Sequence, residues 1–218
     1  MSFSGIIFDF NGTLFWDTPL HNQAWDTFIR ENNLKKLTDE EKNQKMHGKT
    51  NQEILPMLLG RELTPGELQM LTHRKETIYQ ELCLQQKMEL APGAIPFFDF
   101  LKERGIAFTI ATSSGIGNLR FYFEHFRLSR WFEFDQVVYS DGTLKSKPDP
   151  QIFEAAIAKI HKNPNEVVIF EDSFAGILAA QSANPGKIII VDSVHENYSR
   201  WNYQIINHFG EVDRNIFG

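Results

Sequence analysis

The sequence predicts an α/β fold: a parallel sheet with helices on both faces and an all-helical block inserted after the first strand. Two observations carry this prediction. Short apolar runs alternate with helix-spaced segments from Ala91 onward, and the stretch from Pro19 to Met88 shows helical spacing with no strand signal. A third supports it: the apolar runs of the core stop at polar clusters, as strands do when they end at a ligand-binding edge.

The elements follow in order. Gly5-Ile6-Ile7-Phe8 is a buried strand that ends at Asp9-Phe10-Asn11-Gly12-Thr13. Helical spacing then runs through Trp25, Phe28 and Ile29, through Ile54, Leu55, Leu58 and Leu59, and through Leu68, Leu71, Ile78 and Leu82. Thr38 and Thr64-Pro65 read as helix starts within it. After Ala91-Pro92-Gly93 come a helix near Phe97 to Arg104, a strand from Ile106 to Ala111 ending at Thr112-Ser113-Ser114, and a helix from about Gly117 to Phe126. A strand from Gln136 to Tyr139, a helix from about Pro150 to His161, a strand from Val167 to Phe170 ending at Glu171-Asp172, a further helix and a strand from Lys187 to Val191 complete the pattern. Repetition of strand, helix and strand gives a Rossmann-like parallel sheet. The stretch after Asp192 carries no readable pattern.

A length of 218 residues with a hydrophobic content of 42% is enough for a substantial core, as one domain with an insertion or as two small domains. The net charge of -6 arises from acids and bases mixed along the chain, which argues against nucleic acid and anionic membrane as partners. The longest apolar runs are far below the roughly 20 residues of a membrane span, and no signal-peptide pattern is visible. A cytoplasmic protein, monomeric or weakly dimeric, is expected. The single cysteine, Cys83, fits a reducing compartment and reads as inert.

Four clusters could carry chemistry: Asp9 to Thr13, Thr112, Lys147 within Ser146-Lys147-Pro148-Asp149-Pro150, and Glu171-Asp172. Singly, each reads as a cap, a turn or a solvated charge. Together they sit at strand ends that converge in a parallel sheet, so three carboxylates and one ammonium share a site and call for a compensating cation. Magnesium fits an all-oxygen set, with Asp9 and Asp172 as first ligands and Glu171 close by, whereas zinc would want Cys or His.

In order and spacing these residues resemble the haloacid dehalogenase-like superfamily, most closely its branch of β-phosphoglucomutase and phosphosugar phosphatases. Phe8-Asp9-Phe10-Asn11-Gly12-Thr13-Leu14 matches the family's Asp-x-Asp-Gly-Thr motif with one substitution, and Glu171-Asp172-Ser173 matches its Glu-Asp-Ser metal motif. The resemblance implies a magnesium-dependent phosphatase acting on a small phosphorylated metabolite, a sugar phosphate, with Asp9 as nucleophile. It implies Mg2+ between Asp9, the Asn11 carbonyl and Asp172, with Glu171 near it, and Lys147, the Thr112 hydroxyl and the Asn11-Gly12 and Ser113 backbone on phosphate oxygens. Residues 1–16 and 89–218 would form the core and 17–88 a mobile cap. The cap loop Gly48, Lys49, Thr50 and Asn51, with Ser113 and Ser114 opposite, would bind substrate.

The departure from the pattern is Asn11, which stands where family phosphatases and mutases carry the acid–base Asp. His21 at the hinge is a candidate substitute, and Asp17 follows Trp16, which occupies a position commonly acidic in relatives. The cations that hold a mutase's second phosphate fall on Asn51 and Gly115, which favours a phosphatase over a mutase. A weakly active or non-catalytic phosphate-binding relative is the other reading.

Overall fold

The structure, a computed structural model, describes residues 2–218. Six strands, β1 (Gly5–Phe8), β2 (Ala107–Thr112), β3 (Val138–Tyr139), β4 (Val167–Glu171), β5 (Lys187–Val191) and β6 (Gln204–Ile206), form one sheet in the order β3-β2-β1-β4-β5-β6. All neighbours are parallel, and β1 lies between β2 and β4 with Phe8 opposite Ile110 and Phe170. The strand order reverses at β1. Such a reversal opens a crevice at the carboxyl ends of the strands, where open α/β sheets bind ligands.

A strand buried on both faces has no polar side, so its alternation shows only in which core each residue joins. Ile6 and Phe8 pack in a large core that also holds Val168 and Phe170, whereas Ile7, Val167 and Ile169 enter a smaller one. The large core takes Phe97 and Phe98 of α5 (Ala94–Glu103) and Leu119 and Tyr122 of α6 (Ile116–Phe126). The smaller takes Phe153 and Ala156 of α7 (Gln151–Lys159) and Ala179 and Ala180 of α8 (Phe174–Ser182).

Between β1 and α5 lie four helices and no strand: α1 (Thr18–Glu31), α2 (Asp39–Lys45), α3 (Asn51–Leu59) and α4 (Pro65–Leu84). Both helix starts legible in the sequence are capping boxes, Thr38 with Glu41 and Thr64 with Glu67, each satisfying two backbone N–H groups that a helix start leaves open. Trp25 and Phe28 of α1 and Ile78 and Tyr79 of α4 are buried in the same large core. Cys83 is fully buried, and burial pushes its thiol up to about 12, as suits an unreactive cysteine. No helix among the described residues is long and apolar enough to cross a membrane.

Two expectations need correction. The segment before β3 winds into a 3-10 turn at Phe134–Gln136, leaving a two-residue strand in place of Gln136 to Tyr139. The tail after Asp192 is structured: it adds β6 to the sheet and buries Phe209 and Phe217 beside Phe97. β6 buries only Ile206 of its three residues, too little for a period to show.

Phe8 is the centre of this packing, with its ring stacked 5.2 Å from Phe170 and in edge contact with Phe97, Phe98 and Phe132. Phe8→Ala is expected to lower unfolding stability by about 3–5 kcal/mol in urea titration. An effect below about 1 kcal/mol would show that β1 is not the core's keystone.

Candidate active site

The carboxyl edge of the sheet gathers the charged residues that the sequence singles out. Asp9 follows β1, Thr112 ends β2, Glu171 ends β4, Asp172 follows it, and Lys147 arrives on the loop before α7. Lys147 is buried with its Nζ donating to Asp9 Oδ1 at 2.5 Å and Glu171 Oε1 at 2.6 Å, above the Phe153 ring at 4.9 Å. Burial opposes the ammonium charge, but Asp9 and Glu171 outweigh it and hold the Lys147 pKa above its usual value.

Glu171 is fixed from behind. Its Oε2 accepts from the Ser173 backbone N–H at 2.6 Å, and Ser173 Oγ caps α8 by accepting from the Gly176 N–H. A Cβ on Gly176 would stand 1.7 Å from Glu171 Oε1, so only glycine leaves room for this carboxylate. Asp172 is placed by Thr13, whose hydroxyl donates to its Oδ1 at 2.9 Å, and by Tyr198, whose hydroxyl donates to its carbonyl at 2.7 Å. Tyr198 belongs to the tail that showed no pattern, and only tertiary contact reveals it. Gly12 has φ +82°, and a Cβ there would meet Asp172 Oδ2 at 2.1 Å.

Asp9, Glu171 and Asp172 each offer an oxygen within 4.8 Å of the others. Burial, opposed in part by Lys147, raises the Asp9 carboxyl to about 7. Asp172 is also raised well above the usual range, by burial and then by the charges of Glu171 and Asp9. With all three ionised, one ammonium leaves two negative charges uncompensated, a deficit that a divalent ion matches. Hard oxygen donors suit magnesium, so the residues present fit that ion.

Asn11 is held from every side. Its Nδ2 donates to Asp17 Oδ2 at 2.6 Å and Tyr122 Oη at 2.8 Å, and its Oδ1 accepts from Ser114 Oγ at 2.8 Å and Thr112 Oγ1 at 3.4 Å. Tyr122 donates to Tyr79, and Tyr79 donates to Asp17, closing a ring of hydrogen bonds through α6 and α4. Asp17 is fully buried and also takes the Gly12 N–H at 3.0 Å and His21 Nε2 at 3.2 Å. Sequence reasoning noticed Asp17 only as a displaced acid and missed Tyr79 and Tyr122, which read as ordinary core aromatics.

A cleft of about 1200 Å³ opens between α1–α4 and the sheet edge. Asp9, Asn11, Thr112, Ser113, Ser114 and Asp172 line it from the core, and His21, Gly48, Lys49, Thr50 and Asn51 from the helical block. Lys147 and Glu171 lie behind this surface. Ser113 Oγ donates to the Gly48 carbonyl at 2.8 Å, tying the two sides. His21 stacks on Tyr79 at 3.9 Å and receives Lys75 Nζ at Nδ1, so both ring nitrogens are engaged. Lys75, Glu76, Gln80 and Asn118 are among the further lining residues and were not anticipated, since Lys75-Glu76 in a helix reads as a solvated pair.

The ring of hydrogen bonds has a direct test. Asn11→Asp sets a carboxylate 2.6 Å from Asp17 with no donor between them, and is expected to cost about 1–3 kcal/mol at neutral pH. Asn11→Asp combined with Asp17→Asn restores one donor and one acceptor and recovers most of it, as thermal melts will show. Equal stability of the single variant and the wild type would refute the pairing.

Comparison with known proteins agrees with this arrangement. A hydrolase family profile, haloacid dehalogenase-like hydrolase, matches residues 3–184. The phosphorylated carbohydrates phosphatase of Thermotoga maritima is 28% identical across 88% of this chain and 87% of its own. The β-phosphoglucomutase of Bacillus subtilis is 32% identical over 82% and 79%. The crystal structure of a HAD hydrolase, family IA, variant 3, from Entamoeba histolytica superposes with a TM-score of 0.87 at 30% identity, covering 99% of this chain and 97% of that one. The chain is an enzyme of the haloacid dehalogenase-like hydrolase family.

Proposed function

We propose that the protein is a magnesium-dependent phosphatase acting on a small phosphorylated metabolite, a sugar phosphate, through a phosphoryl group carried on Asp9. The observation that carries this reading is the Asp9 carboxylate at the end of β1, held by Lys147 on Oδ1 and opening into a cleft that Asp172 shares. The names of the Thermotoga and Bacillus relatives support a phosphosugar substrate.

Lys147 fixes Oδ1, which leaves Oδ2 to attack phosphorus. The new Asp9 O–P bond forms as the ester P–O bond breaks, and the departing oxygen takes a proton. Water then attacks the aspartyl phosphate, releasing inorganic phosphate and regenerating the carboxylate. The Thr112 hydroxyl and the Ser113 and Ser114 turn face the equatorial oxygens, and Lys147, behind the cleft surface, offsets the charge at Asp9 from within. Asp9, Asp172 and the Asn11 carbonyl, with Glu171 adjacent, would hold magnesium, whose charge offsets that of the carboxylates and phosphate. Residues 17–88 act as the cap, with Gly48, Lys49, Thr50, Asn51 and His21 on the substrate side, and exclude water when closed.

The Asn11 amide releases no proton, and both of its ends are committed to Asp17, Tyr122 and Ser114. Proton delivery therefore falls to water. Turnover is about 10²–10⁴-fold slower than a positioned carboxylic acid would allow.

Phosphate release from a panel of sugar phosphates tests the reading. Asp9→Asn is expected to lose at least about 10³-fold in kcat while keeping its circular dichroism. Chelation is expected to silence the wild type and added magnesium to restore it, whereas Asp172→Ala stays inactive in either condition. Full activity of Asp9→Asn, or activity indifferent to thorough metal removal, would overturn the mechanism. Binding without release from any member of the panel would instead identify a non-catalytic relative.

A further inference from the structure

One wall of the cleft is built around an acid that the phosphoryl-transfer roles leave unused. Glu76, on α4, has a side chain 20% exposed and lines the cleft. Its Oε1 accepts from Asn51 Nδ2 at 2.6 Å and Lys75 Nζ at 2.8 Å, and its Oε2 from Asn118 Nδ2 at 2.7 Å. Asn118 lies on α6, so the carboxylate joins the helical block to the core. Burial works against its ionisation, but Lys75 and the hydrogen bonds prevail and hold its pKa below the usual value.

These bonds settle which groups remain for a ligand. The two amides and the ammonium of this wall aim donors at Glu76, and Lys75 is further engaged by His21 at 3.3 Å and the Trp25 ring at 4.9 Å. A second phosphate on a ligand is drawn to cations, and here it would meet the ionised Glu76 carboxylate, with the Lys75 ammonium already paired to it at 2.8 Å. Lys49, the other lysine of the cleft, follows Gly48, whose Cβ would stand 2.7 Å from Ser173 Oγ, which sets the backbone of this loop beside the Glu171–Ser173 turn. What this wall does offer suits hydroxyls, which both donate and accept: the remaining lone-pair site on Glu76 Oε2, the Asn51 side-chain carbonyl oxygen and the second N–H of each amide.

We infer that Glu76 is a specificity residue: it selects ligands with one phosphate and a hydroxyl-bearing remainder, and rejects bisphosphates. The inference rests on the phosphatase reading for the placement of the first phosphate. It goes further in assigning to Glu76 the discrimination between one phosphate and two, for a substrate whose polyhydroxylated remainder carries no second charge.

The test compares glucose 6-phosphate with glucose 1,6-bisphosphate, both by kcat/KM and, in Asp9→Asn protein with magnesium, by calorimetric Kd. The monophosphate is expected to bind at least about tenfold more tightly than the bisphosphate. Glu76→Gln, which keeps the shape and the two hydrogen bonds accepted by Oε1 but drops the charge and the acceptor for Asn118, is expected to narrow that ratio at least about threefold, chiefly through tighter bisphosphate binding. A merely structural role would move both ligands alike and leave the ratio unchanged, which overturns the inference. So does wild-type preference for the bisphosphate, or binding of neither sugar more tightly than inorganic phosphate. Because Kd is read without turnover, a protein that discriminates but never releases phosphate defeats the phosphatase reading and upholds this one. Turnover without discrimination does the reverse.

Discussion

The ion triad of Lys147 with Asp9 and Glu171 is the constraint around which the rest of the molecule is arranged. Two carboxylates at adjacent strand ends, both withdrawn from water, would repel and protonate without a cation between them. Lys147 must therefore reach 2.5–2.6 Å from both, and the loop before α7 serves to deliver it. Glu171 must then hold still, which accounts for the Ser173 N–H on its second oxygen and for glycine at 176. Removing one member of such a buried group commonly costs about 3–5 kcal/mol, because the others are left uncompensated. The same triad positions the carboxylate proposed to react, so on that reading stability and chemistry draw on one set of contacts.

The core of the fold was legible because parallel strands buried on both faces announce themselves as unbroken apolar runs, as Gly5 to Phe8 and Val167 to Phe170 do. The charged residues at their ends could be recognised together for a related reason: strand ends in one sheet converge, and Asp9, Glu171 and Asp172 lie as near as that argument requires. Groups supplied by tertiary packing were not legible. Tyr198 reaches the Asp172 carbonyl from a segment without periodicity, and Tyr79 and Tyr122 look like core residues until their hydroxyls are followed. Glu76 was hidden for the opposite reason, since an acid beside a lysine on a helix normally faces water.

The substitution at position 11 also changes meaning in the structure. In sequence it reads as a loss, the absence of an acid. In space the amide is the donor that a buried Asp17 needs, and Asp17 in turn takes Tyr79 of α4 and His21 of α1. The residue that would have moved protons is instead a strut between the sheet edge and the helical block. Donor and acceptor match at this pair, as a satisfied buried polar network demands.

That strut bears on how the protein ages. Asn followed by Gly is the pair most prone to deamidation, because an unhindered glycine nitrogen can attack the side-chain carbonyl and expel ammonia. At Asn11-Gly12 the attacking nitrogen is tied through its N–H to the Phe15 carbonyl at 2.7 Å and Asp17 Oδ1 at 3.0 Å. The carbonyl under attack is held by Ser114, and the amide that would leave is held by Asp17 and Tyr122. The folded loop thus shields a bond that the unfolded chain would lose, and any conversion to aspartate or isoaspartate records time spent with these hydrogen bonds undone. The dipeptide serves as a slow chemical clock for local unfolding of this loop.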